Sequence, residues 1–275
     1  MTIDVGKIGF GGMPLSIQGR PSEEQGRRVL QAALDAGITF FDTADVYCLD
    51  DRDIGHNERL IASVVRERAQ IGTKAGLRRP RGTWTRDGSP KHIREACEQS
   101  LRSLGVDQIW LYQLHAVDPP VGLEKSVETF AELQREGKCK HVGLSNVSIA
   151  EIERAKRIVD VKSVQNRLNP YFRESIDVAE YCGENDIVFL AYSPVGGGRL
   201  TKKLPKFEVL QEIAAKHKRS PHAVVLAWVR TKGKTVVPIP GARTVEHAID
   251  SARSVDLNLT LDEVGAIDAE HFDVT

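Results

Sequence analysis

A chain of 275 residues with 41% hydrophobic side chains has enough apolar surface to bury one large α/β core. Its 38 basic and 38 acidic residues cancel, so neither a nucleic-acid footprint nor an acidic disordered tail is expected. No apolar run approaches the roughly 18 residues of a membrane helix, the opening MTIDVGKIGFGG lacks the basic-then-apolar pattern of a secretory signal, and Cys48, Cys97, Cys139 and Cys182 show no CxxC spacing, so a cytoplasmic protein with idle thiols is expected.

Short apolar runs alternate with helix-like segments along the whole chain. KIGFGG precedes SEEQGRRVLQAALDAG, and ITFFDTA precedes HNERLIASVVRER. QIGTKAG precedes SPKHIREACEQSLRSLG, and QIWLYQLHAV precedes GLEKSVETFAELQREG. CKHVGLSN precedes SIAEIERAKRIV, and VKSVQNRLNP precedes RESIDVAEYCGEN. DIVFLAYSPV precedes KFEVLQEIAAKHKR, and TVVPIPG precedes TVEHAIDSARSV. SPHAVVLAWVR and TLDEVGAIDA add two further helical stretches. Ser22 and Ser89 stand where helix N-caps belong. Gly37, Gly105 and Gly137 follow helical runs, where a positive-φ residue ends a helix. Strands alternating with helices predict a parallel sheet. Eight such units in roughly 250 residues match a closed (β/α)8 TIM barrel, α/β in class, better than an open doubly wound sheet. No linker or low-complexity segment interrupts residues 1–275, which therefore form one domain.

In such a barrel the working face lies at the C-terminal ends of the strands. Asp42 ends the second strand, with Tyr47 in the loop beyond. Lys74 ends the third and His115 the fourth. Taken singly, each has an ordinary explanation: the Asp caps a turn, the Tyr packs, and the Lys and His are satisfied locally. Three strand ends delivering these four side chains to one rim suggest a proton-transfer device instead. A phenol has a free pKa of about 10, and the ammonium of Lys74 beside it favours the phenolate and lowers that value. Asp42 would hold Lys74 charged, and His115 would orient a substrate oxygen. The result is a general acid aimed at a carbonyl. None of the four gives a hydride, so a cofactor must.

With these motifs in place the sequence resembles the aldo-keto reductases nearly end to end. The resemblance is carried by GFGGM, FFDTADVY, GHNERLI, IGTKAG, LYQLHAVD, EGKCKHVGLSN, SVQNRLNP, AYSPVGGG and PIPGAR in that order. It implies an NADPH-dependent carbonyl reductase, with NADH less favoured, and a catalytic tetrad of Asp42, Tyr47, Lys74 and His115 with Tyr47 as the acid. It implies that Ser145, Asn146 and Gln165 hold the nicotinamide carboxamide and that Tyr192 stacks on the ring. It places Gly12, Met13, Asp42, Ser193, Pro194, Gly196, Gly197, Ile239, Gly241, Arg243, His247, Asp250 and Ser251 along the cofactor. Tyr47, Trp84 and His115 are expected around a small carbonyl substrate; no partner protein is expected.

Other signals are weaker. GFGGMP fails the dinucleotide fingerprint because Pro14 occupies the third glycine position. LDDRDIGH lacks the full calcium-loop pattern, and the histidines form neither HExxH nor a cluster, so no metal is assigned. RRPRGTWTRDG reads either as a solvent-facing basic connection or as a substrate-side flap carrying Trp84. Gly241 stands where many relatives carry a basic residue after Ile-Pro, and Ser251 where many carry Asn. The chain ends on AEHFDVT, and an open substrate pocket is expected from so short a C-terminal stretch. Two rival readings stand beside this one: a nicotinamide-binding regulatory or scaffold protein with negligible turnover, and a metal-free lyase or hydrolase using the same carboxylate and lysine.

Overall fold

The computed structural model describes residues 2–274. In chain order it contains β1 (Phe10–Gly11), α1 (Glu23–Asp35), β2 (Phe40–Asp42), α2 (His56–Val65), β3 (Gln70–Ala75), β4 (Leu77–Arg78) and β5 (Thr85–Arg86). There follow α3 (Pro90–Leu104), β6 (Ile109–Leu114), α4 (Leu123–Arg135), β7 (Cys139–Ser145), α5 (Ile149–Lys156), β8 (Val161–Arg167) and α6 (Ile176–Glu184). The chain ends through β9 (Val188–Tyr192), α7 (Gly198–Thr201), α8 (Glu208–His217), α9 (Pro221–Arg230), β10 (Val236–Ile239), α10 (Val245–Arg253) and α11 (Leu261–Ala269).

Eight strands pair in the order β1-β2-β3-β6-β7-β8-β9-β10, every pair parallel. The circle is closed by backbone bonds: Gly9 N–H donates to the Pro238 carbonyl at 3.0 Å and Gly11 N–H to the Pro240 carbonyl at 2.9 Å. This is the (β/α)8 TIM barrel the sequence predicts.

The double aromatic in FFDTA shows why the sequence folds this way. Successive strand residues face opposite sides. Phe41 points outward and packs with Val29, Leu30, Leu60 and Ile61 beneath the helices. Phe40 points inward and packs with Val5, Leu111, Val188, Leu190 and Val237. Interior glycines leave the space Phe40 fills: a Cβ on Gly9 or on Gly72 would lie 2.9 Å from its ring. Asp42, two residues on, inherits the inward face and stands above this apolar plug.

The helices carry the expected caps. Ser22 accepts from the Gln25 amide and Ser89 from the His92 amide. RRPRGTWTRDG forms a hairpin: β4 and β5 pair antiparallel, Leu77 opposite Arg86, and the hairpin tip carries Trp84. Its strands are short and exposed, without the apolar alternation by which a strand is recognised. At the C-terminal end, Arg173 donates to the carbonyls of Ile267, Asp268 and Glu270, and Phe272 packs against Tyr171 and Phe207. These described residues lie beside α7 and α8.

Candidate active site

Lys74 joins the residues of the barrel mouth. Its ammonium donates to both Asp42 oxygens at 2.7 Å, to the Thr43 carbonyl at 2.7 Å, and lies 3.2 Å from the Tyr47 hydroxyl. Lys74 has no solvent exposure at all, and Asp42, Tyr47 and His115 are also buried. A fully buried lysine is tolerable only when its donors are satisfied by charge and dipole, and here all three are. The turn holding Tyr47 is set by Asp45, whose carboxylate accepts from the Val46 amide at 2.7 Å, and by Tyr47 N–H donating to the Ala44 carbonyl at 3.1 Å. The Tyr47 and His115 rings meet at 5.7 Å, nearly perpendicular, and Trp84 meets each of them at 6.4 Å. Three strands and a hairpin thus bring the four rim residues and Trp84 together.

The electrostatics correct one expectation. Tyr47 is not shifted toward phenolate. Burial, with the charges of Asp42 and Asp45 added, holds its pKa well above 10.0. Burial is the dominant cause, and the Lys74 ammonium, engaged on both Asp42 oxygens and the Thr43 carbonyl, does not offset it. Tyr47 is therefore a protonated phenol, the form a proton donor needs. Burial and the Lys74 charge depress His115 well below 6.5, leaving a neutral imidazole whose Nδ1 is buried without a partner. Lys74 is itself lowered by burial, with Asp42 opposing.

Several residues here escaped the sequence reading. Asp45 and Glu58 are buried carboxylates raised chiefly by burial. Glu58 accepts from the Thr73 hydroxyl. Thr43 donates to Asn57 Oδ1 at 2.6 Å, and Asn57 donates to the Gly12 carbonyl at 2.8 Å and to Ser16 Oγ at 2.7 Å. This network pins the turn after β1 against α2. The acids look like ordinary loop and helix charges in sequence; only their burial marks them.

The residues assigned to the cofactor fall into three groups. Around the mouth, Ser145 donates to the Gln165 carbonyl at 2.8 Å, and the Gln165 amide donates to Asp42 Oδ1 at 2.8 Å. Asn146 takes φ of 57°, donates to the His115 carbonyl at 3.0 Å, and accepts from the Tyr192 hydroxyl at 2.8 Å. Asn is the residue type that tolerates this conformation best after Gly. Met13 packs against Ala44, Val46 and Tyr47. Beyond β9, Ser193 takes φ of 48°, its carbonyl fixed by the Asn169 amide at 2.9 Å, ahead of buried Pro194. Gly196 packs on Tyr171. Gly197 and Gly198 have positive φ, and a Cβ on Gly198 would meet nothing within 4 Å, so the backbone there is bare.

The third group follows β10. Buried Ile239 leads to Gly241, where a Cβ would lie 2.6 Å from Pro14 Cγ and 2.7 Å from the Gly11 carbonyl oxygen. Glycine is thus required by the close approach of the β1 and β10 turns, and a side chain there would displace one of them. Gly12 is equally tight, 2.4 Å from Asn57 Oδ1. Arg243 is exposed and donates to the Pro14 carbonyl at 3.1 Å and the Gln18 carbonyl at 3.3 Å. Thr244 N-caps α10, and exposed His247 sits in its first turn. Asp250 is turned away to accept from Ser220 at 2.6 Å, and Ser251 is half-buried on α10. A shallow cleft of about 820 Å³ between α1 and α2 lies outside the barrel mouth. Arg27 and Arg28 there are paired with Glu23 and Glu24, and nothing in it suggests chemistry. Among the described residues no His/Cys/Asp/Glu cluster is arranged to hold a metal, and no helix is long and apolar enough to cross a membrane.

A closed parallel barrel with a buried Asp–Lys–Tyr group at its C-terminal mouth belongs among the barrel enzymes. The Aldo/keto reductase family profile matches residues 7–270, and the chain belongs to that family of NAD(P)H-dependent oxidoreductases. It is 32% identical over 271 residues to an uncharacterized oxidoreductase of Schizosaccharomyces pombe, covering 97% of this chain and 87% of the relative. It is 34% identical to a probable aldo-keto reductase of Glycine max, covering 89% and 79%. Among solved structures it resembles the glycerol dehydrogenase of Gluconobacter oxydans, with TM-score 0.85, 25% identity, and 100% and 96% of the two chains covered. It also resembles an aldo/keto reductase of Klebsiella pneumoniae in complex with NADP and acetate, with TM-score 0.81, 26% identity, and 96% and 90% covered.

Proposed function

We propose that this protein reduces an aldehyde or ketone to an alcohol with NADPH, and that Tyr47 delivers the proton. The observation that carries the reading is the Tyr47 hydroxyl, protonated, 3.2 Å from a lysine that is locked to Asp42. The cofactor is a nicotinamide dinucleotide, and the mouth fits one. Asn146 and Gln165 present side-chain amides beside the half-buried ring of Tyr192, and the bare backbone of Gly197 and Gly198 leaves room for a pyrophosphate. The Klebsiella pneumoniae neighbours solved with NADP and NADPH support the same assignment. When bound, the nicotinamide supplies the hydride.

The chain's own groups do the rest. A substrate oxygen seated between Tyr47 and His115 meets two neutral donors. A proton on His115 Nε2 makes that nitrogen the donor and leaves Nδ1 an unpaired acceptor. As negative charge develops on the oxygen, Tyr47 transfers its proton, and the phenolate left behind faces the Lys74 ammonium. A positioned acid of this kind contributes about 10²–10⁴-fold to the rate. Trp84 walls the substrate side. Arg243, with His247 one turn on, faces the 2′-phosphate that distinguishes NADPH from NADH. The test is NADPH consumption across a panel of aldehydes, ketones, sugars and quinones. Tight NADPH binding with no turnover of any member would leave the protein a binding module instead.

A further inference from the structure

Arg79 is a buried cation that no part of the proton-delivery chemistry uses. It begins the turn between β4 and β5 and is 3% exposed. Its Nη2 donates to Gln18 Oε1 at 2.7 Å, while Nε and Nη1 are buried and find no acceptor. Among the described residues its only ionisable neighbour with a resolved influence is the Cys48 thiol, and that thiol is itself pushed up to about 12, hence neutral. Guanidinium stays charged in proteins, and a buried charge without a counter-ion is among the more costly arrangements a fold can hold. Its one partner is itself engaged elsewhere, Gln18 Nε2 donating to the Leu49 carbonyl at 3.1 Å.

Position makes this orphan informative. The Arg79 guanidinium carbon lies 3.7 Å from the Trp84 ring centroid, and Trp84 is the residue in ring contact with both Tyr47 and His115. Stacking on the indole orients the guanidinium plane but satisfies none of its N–H groups. One indole therefore has the proton-delivering pair as neighbours and a cation with two spare donors on its face. Trp84 itself is 42% exposed at the hairpin tip, so the wall it forms is accessible from solvent.

We propose that Arg79 binds a carboxylate on the carbonyl substrate, which makes oxo-acids and carboxylated aldehydes the preferred substrates over neutral carbonyls of the same size. The inference rests on the carbonyl-reductase reading above and adds the substrate class to it. A substrate lying along Trp84 places its carbonyl at Tyr47 and His115 and its anionic end at Arg79, where it supplies the missing acceptors.

The experiment compares 4-carboxybenzaldehyde with its methyl ester, equal in reach but neutral. Wild-type kcat/KM is expected to favour the acid by about 10- to 150-fold, the range for a charge-assisted hydrogen bond. In Arg79→Gln the acid-to-ester ratio should collapse toward one, and Arg79→Lys should retain part of it. The ratio is internal to each preparation, so a loss of folded enzyme does not imitate the effect. In parallel, 4-(hydroxymethyl)benzoate is titrated into each protein and followed by tryptophan fluorescence, with Trp84→Phe to assign the signal. A saturable change is expected in wild type and none in Arg79→Gln. Turnover of the ester with no preference for the acid overturns the proposal and leaves the reductase reading intact. Absence of turnover with either aldehyde overturns the reductase reading, and the titration then decides the Arg79 site alone: loss of binding in Arg79→Gln supports it, and equal binding refutes it.

Discussion

The side-chain amide of Gln165 donates to Asp42 Oδ1 across 2.8 Å, joining two strands on opposite sides of the barrel. The same carboxylate is gripped by Lys74, so the residue proposed to face the cofactor and the lysine beside the proposed acid share one partner. Gln165→Glu turns this contact into a repulsion. The introduced carboxyl lies against Asp42 and its folded-state pKa is raised above its unfolded value of about 4.3. Sign follows directly: below the unfolded pKa the proton is bound in both states and no penalty exists, and the penalty grows as pH rises through the raised value. We expect wild-type stability near pH 4 and a loss of about 1.5–3 kcal/mol at pH 8, for a shift of one to two units. Urea unfolding at the two pH values measures it; an equal deficit at both would show that repulsion is not the cause.

Lys74→Met removes the only ammonium from a buried carboxylate that retains only the Gln165 donor. Truncating one member of such a pair costs about 3–5 kcal/mol. Adding Asp42→Asn to the same variant removes the orphaned charge and should restore most of the stability but none of the turnover. Thermal unfolding of the single and double variants, run beside NADPH oxidation, separates the two roles. A double variant no more stable than the single one would mean that the pair does not carry the coupling.

The barrel was legible because each strand is short, apolar and followed by a helix of regular period, and because caps such as Ser22 and Ser89 are local chemistry. The rim residues were legible for the same reason: a strand end fixes which way a side chain faces. What was not legible depended on distances between segments far apart in sequence. The phenol of Tyr47 was expected to drop in pKa from the mere proximity of Lys74, but burial raises it, and the ammonium, engaged by Asp42 and the Thr43 carbonyl, does not offset that. Gly241 looked like a missing cation and is instead a point of contact with Pro14 and Gly11. Arg79 looked like one arginine of a basic loop, and only the fold shows it buried under Trp84.

The ionisation states at the mouth set a pH profile. Tyr47 keeps its proton below a pKa raised above 10.0, and His115 stays neutral above a pKa depressed beneath 6.5. The kcat for carbonyl reduction is therefore expected to be flat from pH 6.5 to pH 10.0 so far as these two groups control it. Tyr47→Phe should lower kcat by about 10²–10⁴-fold across that range while leaving the NADPH dissociation constant nearly unchanged. A wild-type rate that titrates with a midpoint near pH 8, or a Phe variant at full rate, would remove Tyr47 as the acid.

Arg243 is the residue on which NADPH preference is expected to turn. It is exposed beside the N-terminus of α10, whose partial positive charge favours an anion. Gly241 cannot hold a second cation without displacing Pro14, so Arg243 has only His247 to assist it. Its Nε and Nη2 are engaged with the Pro14 and Gln18 carbonyls, which fixes the guanidinium and leaves its remaining donors for a phosphate. A charge-assisted contact is worth about 1.5–3 kcal/mol, or about 10- to 150-fold in affinity. Arg243→Ala should weaken NADPH by that factor. The clasp on the Pro14–Gln18 segment acts on both cofactors alike, so the ratio of the NADPH and NADH dissociation constants is the quantity to measure. A ratio that moves toward one in Arg243→Ala assigns the 2′-phosphate to this arginine, whereas losses of equal size for both cofactors would reduce its role to holding the turn after β1 in place.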